Sequence, residues 1–385
     1  MRCQSVSTTN TDGYRAGCEI AEALQESAPE VILLFMSTSY MASFSDLFAG
    51  IQDTLDRDDL IIFGGTGDGI YETARVAHHG VAALGLNSEG SVRWVTAVES
   101  GVATDSFGAA QRCAQRALDE VGEHADFAFV MADGIQADGT LIAAGVSSVL
   151  PSPFFGGLAG DDRKFSHTCV SLDGDVYENA VAVLLGCGDI VQAVNAASGW
   201  TPIGAPGLID DCEGSQVRRI DGKTAQEFMR AQLGKAPGEV DLGIVPLATY
   251  DDPSNPNFSL RALSRFDEET GAINLFGSIT CGQQVRVCNA TREEVIAGVE
   301  QALAALRDTG LEPAAAIVVS CAGRKWLLED RCHEEVDRVF AAIGEKIPLI
   351  GFPSFGEIGP FRKPDGSYSP VYFHNSTYVI CLIGK

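Results

Sequence analysis

Apolar residues along the chain fall in short unbroken runs, separated by helical stripes and glycine-rich turns. Val31-Ile-Leu-Leu-Phe-Met36, Phe127-Ala-Phe-Val-Met131 and Ala316-Ile-Val-Val-Ser320 have the length of strands buried on both faces. After the first run, Phe44, Leu47, Phe48, Ile51 and Leu55 recur at helical spacing. After the third, Cys332, Val336, Val339, Phe340 and Ile343 do the same, and Gly344 is placed to end the helix. The second copy has only a short helical stretch, Gly139 to Val149. Each copy then carries a further apolar run, a glycine turn and a carboxylate. These are Ile61-Ile-Phe-Gly-Gly-Thr-Gly-Asp68, Pro153-Phe-Phe-Gly-Gly-Leu-Ala-Gly-Asp161 and Pro348-Leu-Ile-Gly-Phe-Pro-Ser-Phe-Gly-Glu357. Closing apolar strands follow at Val81–Leu86, Ala180–Leu185 and Tyr378–Ile383.

The repeated unit is strand, helix, strand, glycine turn and hairpin, which predicts an α/β fold of mixed sheets with helices packed on them. Segments 31–86, 127–186 and 315–384 should superpose, with Gly64, Gly156 and Gly351 in equivalent places. Between the second and third copies the pattern changes. Phe258 to Phe266 alternates as a strand, Asp267–Gly271 turns it back towards Phe276, and Thr224–Leu233 reads as a helix ended by Gly234. Thr291 with Glu294 forms a capping box that opens a helix reaching Leu306. Asp252–Asn257 is the most loop-like segment. Two domains are expected: residues 30–200 with two copies, and 221–384 with the third copy and a β-hairpin insertion. Residues 201–220 connect them.

Composition removes several classes. A formal charge of −25, from 27 Lys+Arg against 52 Asp+Glu, repels a phosphate backbone, so nucleic acid is not an expected partner. No apolar run is long enough to span a bilayer and the N-terminus lacks a secretory signal, which predicts a cytoplasmic protein with no membrane partner. The eleven cysteines include no Cys-x-x-Cys and the six histidines are dispersed, so mostly reduced thiols and no metal site are expected. Glycine, at 42 residues, is the informative excess.

The order Gly156-Gly-Leu-Ala-Gly-Asp161, Gly199-Trp-Thr-Pro-Ile-Gly204 and Asp221-Gly-Lys-Thr-Ala225 resembles the N-terminal half of the FIST family. Ser320-Cys-Ala-Gly-Arg324, Gly351-Phe-Pro-Ser-Phe-Gly-Glu357 and His374-Asn-Ser-Thr377 resemble its C-terminal half. The resemblance covers roughly residues 30 to 384. It implies an intracellular sensory domain that binds a small ligand, with amino acids proposed for the family. FIST domains are often fused to kinase, cyclase, chemoreceptor or F-box modules. This sequence offers room for none, so a stand-alone protein with a separate signalling output partner is expected.

In a βαβ unit the carboxyl ends of both parallel strands lie on one edge, where ligands bind. That edge would carry the glycine turns with Gly65, Gly157 and Gly351, the carboxylates Asp68, Asp161, Asp162 and Glu357, the cation Arg324 and the amide of Asn375. Three turns each bring a carboxylate, Asp68, Asp161 and Glu357, against the one arginine, which favours a ligand bearing an amine, with Arg324 taking an accompanying carboxylate. Gly64-Gly-Thr-Gly-Asp-Gly69 lacks the spacing and the lysine of a phosphate loop. Two other classes stay open. One is an enzyme with Cys321 as nucleophile and His374 as base; the other is a scaffold or recruitment protein. Haem sensing, through one of His78, His79, His124, His167, His333 or His374, or through a cysteine, is a further alternative implied by the resemblance, without a Cys-x-x-Cys-His attachment site.

Overall fold

The computed structural model describes residues 1–73, 75–122, 124–250 and 258–384. Each repeat begins one strand and one helix before the apolar run that marks it in the sequence. In the first, strand Arg2–Thr8 and helix Gly13–Leu24 precede strand Val31–Met36, helix Phe44–Leu55 and strand Ile61–Thr66. The hairpin Ile70–Glu72 and Arg75–Ala77 follows, then the closing strand Val81–Asn87. The second repeat runs in the same order from Val92–Ser100 to Ala180–Gly188, and the third from Val191–Ala197 to Tyr378–Gly384. The leading strands are outer strands with partly exposed polar positions, which is why apolar runs do not reveal them. Helix Arg292–Ala304, capped by Thr291 and Glu294, belongs to the third repeat as the counterpart of Gly13–Leu24.

Within each repeat the two apolar strands pair in parallel: Val31 with Ile61, Phe129 with Phe155, Ala316 with Leu349. The closing strand pairs antiparallel with the first of them, and the leading strand lies outside it. The hairpin does not join its own sheet. That of the first repeat sets Tyr71 against Gly351 of the third. That of the third sets Ile358 against Gly156 of the second, and that of the second sets Ser171 against Gly64 of the first. The exchange is cyclic and gives three six-stranded mixed sheets. Gly64, Gly156 and Gly351 occupy the same register position in each. A Cβ at any of them would overlap the carbonyl oxygen of the residue opposite, Leu34, Val130 or Val318.

Both faces of the central strands are covered in each six-stranded sheet. Val31, Leu33 and Phe35 meet Phe127, Phe129, Met131, Ile317 and Val319 in one common core. Alternate residues face the helices: Ile32, Leu34 and Met36 in the first repeat, Ala128 and Val130 in the second, Ala316 and Val318 in the third. A two-residue period with both faces dry produces the unbroken apolar runs. The Phe35 ring lies 4.5 Å from Phe352 and 6.0 Å from Phe129, so the three sheets touch through aromatic contacts.

Between the leading strand and helix of the third repeat sits an insertion of short antiparallel strands, from Thr201–Pro202 to Gln284–Asn289. It has its own core, including Val217, Ile220, Phe228, Leu263 and Val285. Its helix Ala225–Leu233 opens with a Thr224–Glu227 capping box and ends at Gly234, whose φ is 72°. The expected loop Asp252–Asn257 lies outside the described residues. Cys212 and Cys281, 69 positions apart, are joined by a disulfide in this insertion, an exception to the reduced thiols expected from spacing. Among the described residues no helix is long and apolar enough to cross a membrane.

Candidate functional site

The carboxyl ends of the parallel strands converge where the three repeats meet, and a cleft of about 550 Å³ opens there. Asp68 and the His78-His79 pair come from the first repeat, Asp162 and Arg163 from the second, Lys325 and Trp326 from the third. Asp68 follows the glycine turn of its strand and is 1% exposed. Its Oδ2 accepts a hydrogen bond from Trp326 Nε1 at 2.9 Å and lies 3.3 Å from Lys325 Nζ. Lys325 also donates to the Asp68 carbonyl oxygen. On the other side of the ammonium, Asp162 Oδ1 stands 3.9 Å away, and Asp162 Oδ2 lies 3.7 Å from His79 Nδ1. One buried lysine therefore serves two carboxylates. Asp68 Oδ1 and Asp162 Oδ2 are buried and accept no hydrogen bond from any described residue. Burial raises the Asp68 pKa, opposed by the Lys325 charge and the Trp326 indole. Lys325, followed by burial, lowers that of His78.

Asp161 builds the wall that carries Asp162. Its Oδ1 accepts from the Phe165 backbone N–H at 2.9 Å, and its Oδ2 from those of Ser166 and His167 at 2.6 and 3.2 Å. This cap holds Asp162, Arg163 and Phe165 at φ of 55°, 64° and 50°, in the left-handed region that non-glycine residues avoid. The turn sets the Arg163 guanidinium 4.1 Å above the Trp326 ring and stacks Phe165 on Phe355, centroids 4.9 Å apart.

The residues singled out from the sequence divide accordingly. Asp68 and Asp162 face the cleft, while Asp161 faces its own loop. Arg324 is buried: its Nε donates to Glu335 at 2.7 Å, and its terminal nitrogens donate to the Ser198 and Val295 carbonyls. Glu357 is also buried, bonded to Ser354 Oγ at 2.5 Å and to the Thr377 N–H at 3.1 Å. Gly65, Gly157 and Gly351 lie inside strands paired on both sides. Asn375 ties the insertion to the core by accepting the Ala262 N–H at 3.0 Å. Cys321 is buried beside Glu357, and both burial and that carboxylate raise its thiol pKa. His374 Nε2 lies 3.0 Å from the Gly359 carbonyl oxygen, and burial pushes its pKa down to about 3. No hydrogen bond joins Cys321 and His374 among the described residues.

Lys325, Trp326 and Arg163 escaped the sequence reading. The first two immediately follow Arg324, and only the rotation of the helix decides which of these neighbours reaches the cleft. The residues present do not fit haem. Of the six histidines only His78 and His79 line this cleft, and Asp68, Asp162, Glu329 and Asp330 surround them with carboxylates, where a porphyrin needs apolar walls.

Two overlapping segments, residues 1–104 and 30–223, match the profile of the FIST N domain, and residues 217–360 match that of the FIST C domain. No curated protein matches the chain. Among solved structures, the chain is similar at 10% identity to a cyanuric acid hydrolase from A. caulinodans, over 100% of this chain and 99% of that one, with a TM-score of 0.40. A second cyanuric acid hydrolase structure is similar at 9% identity over 99% of each chain, with a TM-score of 0.35. Likeness at this level says nothing about activity. The two domain matches together take in residues 1–360, and the chain belongs to the FIST family.

Proposed function

We propose that this FIST protein senses a small amine-bearing metabolite, an amino acid or polyamine, in the cleft between its three repeats, and signals through a separate partner. The supporting observation is the pair of buried carboxylate oxygens without hydrogen bonds, Asp68 Oδ1 and Asp162 Oδ2, at the cleft wall. Buried acceptors left unsatisfied carry a desolvation cost that a donor from a ligand removes. An ammonium group supplies several donors and the charge to match. Arg163, held over Trp326, is the cation placed to take a ligand carboxylate. Arg324 does not serve that role in this reading, because it is fully buried and each of its three nitrogens is hydrogen-bonded inside the protein.

The thiol-enzyme reading has less support. Cys321 is held in its protonated form by burial, and His374 is turned to a backbone carbonyl. The test is a thermal-shift screen of the amino acids, linear polyamines and matched carboxylates lacking an amine, followed by calorimetry. An amine-bearing compound should stabilise the protein. Asp68→Asn and Asp162→Asn should each weaken its binding by roughly tenfold or more. Tightest binding by an amine-free anion, or parental affinity in both variants, would refute the assignment.

A further inference from the structure

A second cluster of ligating side chains lies at the amino end of strand Phe127–Ala132, the opposite end from the cleft. We propose that His124, Asp126 and Cys187 form a site for one divalent transition-metal ion of the zinc type. Their donor atoms all lie within 4.8 Å of one another. His124 Nε2 is 3.6 Å from Asp126 Oδ2 and 3.8 Å from Cys187 Sγ. A tetrahedral zinc ion, with bonds of about 2.0–2.3 Å, spaces nitrogen, oxygen and sulfur donors roughly 3.3–3.6 Å apart. Closing the site therefore requires only small movements, and His124, whose side chain is 63% exposed, is free to make them.

The backbone fixes the other two ligands. Asp126 N–H donates to the Gly186 carbonyl and Asp126 Oδ2 accepts the Gly188 N–H, both at 2.9 Å, which clamps the aspartate beside Cys187. Such support of a ligating carboxylate tunes and orients it. His124 follows Gly122, which ends helix Val102–Val121. A bound ion would thus tie His124 to the sheet through Asp126 and Cys187. Thiolate and imidazole select zinc, cobalt or copper over magnesium and calcium. Three protein donors leave a fourth position for water. Coordination replaces the Cys187 S–H bond with a sulfur–metal bond, and the proton goes to solvent without a change of oxidation state. The positions 124, 126 and 187 follow no recognised ligand spacing, so only the pairing of the two strands brings them together.

The test is titration of the full chain with cobalt(II), read as thiolate-to-cobalt charge transfer and the intense ligand-field absorption of a tetrahedral ion. The parent protein should take up one equivalent, and zinc should displace it. Cys187→Ser should abolish the charge-transfer band, and His124→Ala should weaken uptake by roughly tenfold or more, with folding of both variants checked by circular dichroism. Absence of saturable uptake by the parent overturns the proposal without recourse to any variant. An unchanged band in Cys187→Ser overturns it too, by placing the metal at another thiol.

Discussion

Arg324 and Lys325 are neighbours on the short helix Ala322–Leu328, yet they serve different centres. One residue of helical rotation sends Arg324 into the protein, where it pairs with Glu335 at zero exposure for both side chains, and sends Lys325 to the cleft. Glu335 is itself satisfied by Ser320 at 2.9 Å and by Tyr71 of the exchanged hairpin at 3.1 Å. A buried pair with this many partners sets geometry more than it adds stability. Its effect is to fix the helix that presents Lys325 and Trp326. Glu357 and His374 are the residues whose burial should be visible in solution. The Glu357 carboxyl is pushed up from 4.5 to about 8 by burial, so between those values the fold keeps a proton that the unfolded chain has released. Stability contributed there falls as pH rises through that window. His374 acts on the acid side. Its folded pKa, lowered from 6.5 to about 3, makes stability fall as pH drops through that range, because only the unfolded imidazole takes the proton. Glu357→Gln mimics the protonated acid and should remove the alkaline decline. Relative to the parent, the variant should gain on the order of a few kcal/mol between pH 5 and pH 8, measured by urea unfolding. A difference that is constant with pH would count against Glu357 as its source.

At the scale of the element, the most legible features were those under one physical demand. Unbroken apolar runs read correctly as strands because both sheet faces are dry. The glycine-rich segments read correctly as repeats, although Gly64, Gly156 and Gly351 lie in strands instead of turns, because each faces a carbonyl at the same register. What escaped was carried by partners distant in sequence. The leading strands Arg2–Thr8, Val92–Ser100 and Val191–Ala197 have mixed polarity. The carboxylates after the turns looked alike, yet Asp161 caps its own loop, Glu357 is sealed in the core, and Asp68 and Asp162 look into the cleft. A local pattern contains nothing that separates these roles, since each needs the same glycine-then-acid sequence. The register argument is open to test. Alanine at Gly64, Gly156 or Gly351 should cost about 1–3 kcal/mol or more by forcing strands apart. Gly238→Ala, where an added Cβ meets nothing within 4 Å, should change stability by less than about 0.5 kcal/mol. Equal effects at all four positions in chemical denaturation would show that the glycines are not packed as described.

Taken whole, the molecule is a ring of exchanged hairpins, and this changes what the division into N-type and C-type domains means physically. Residues 1–200 contain two repeats, but the hairpin Ile70–Ala77 pairs with strand Leu349–Ser354 of the third. Strand Phe155–Leu158 is covered by Gly356–Gly359, and strand Val191–Ala197 pairs with Tyr378–Gly384. The common core also needs Ile317, Val319, Phe352 and Val379 from the C-terminal half. Cutting the chain would break these three strand pairings and expose their edges together with the inner apolar face, the combination that leads to aggregation. Pairings between positions so far apart in sequence also form late, because closing such loops costs entropy before any contact offsets it. Residues 1–200 and 201–385 expressed separately should therefore be insoluble or lack a cooperative unfolding transition, whereas co-expression should yield a soluble complex of both. The cleft has the same dependence, since Asp68, Asp162 and Lys325 come from three different repeats. Whatever binds there is contacted by every repeat at once, so binding should stabilise the co-expressed pair and neither half alone. An N-terminal half that unfolds cooperatively by itself, or that binds the ligand by itself, would show that the exchanged hairpins decorate independent domains instead of joining them.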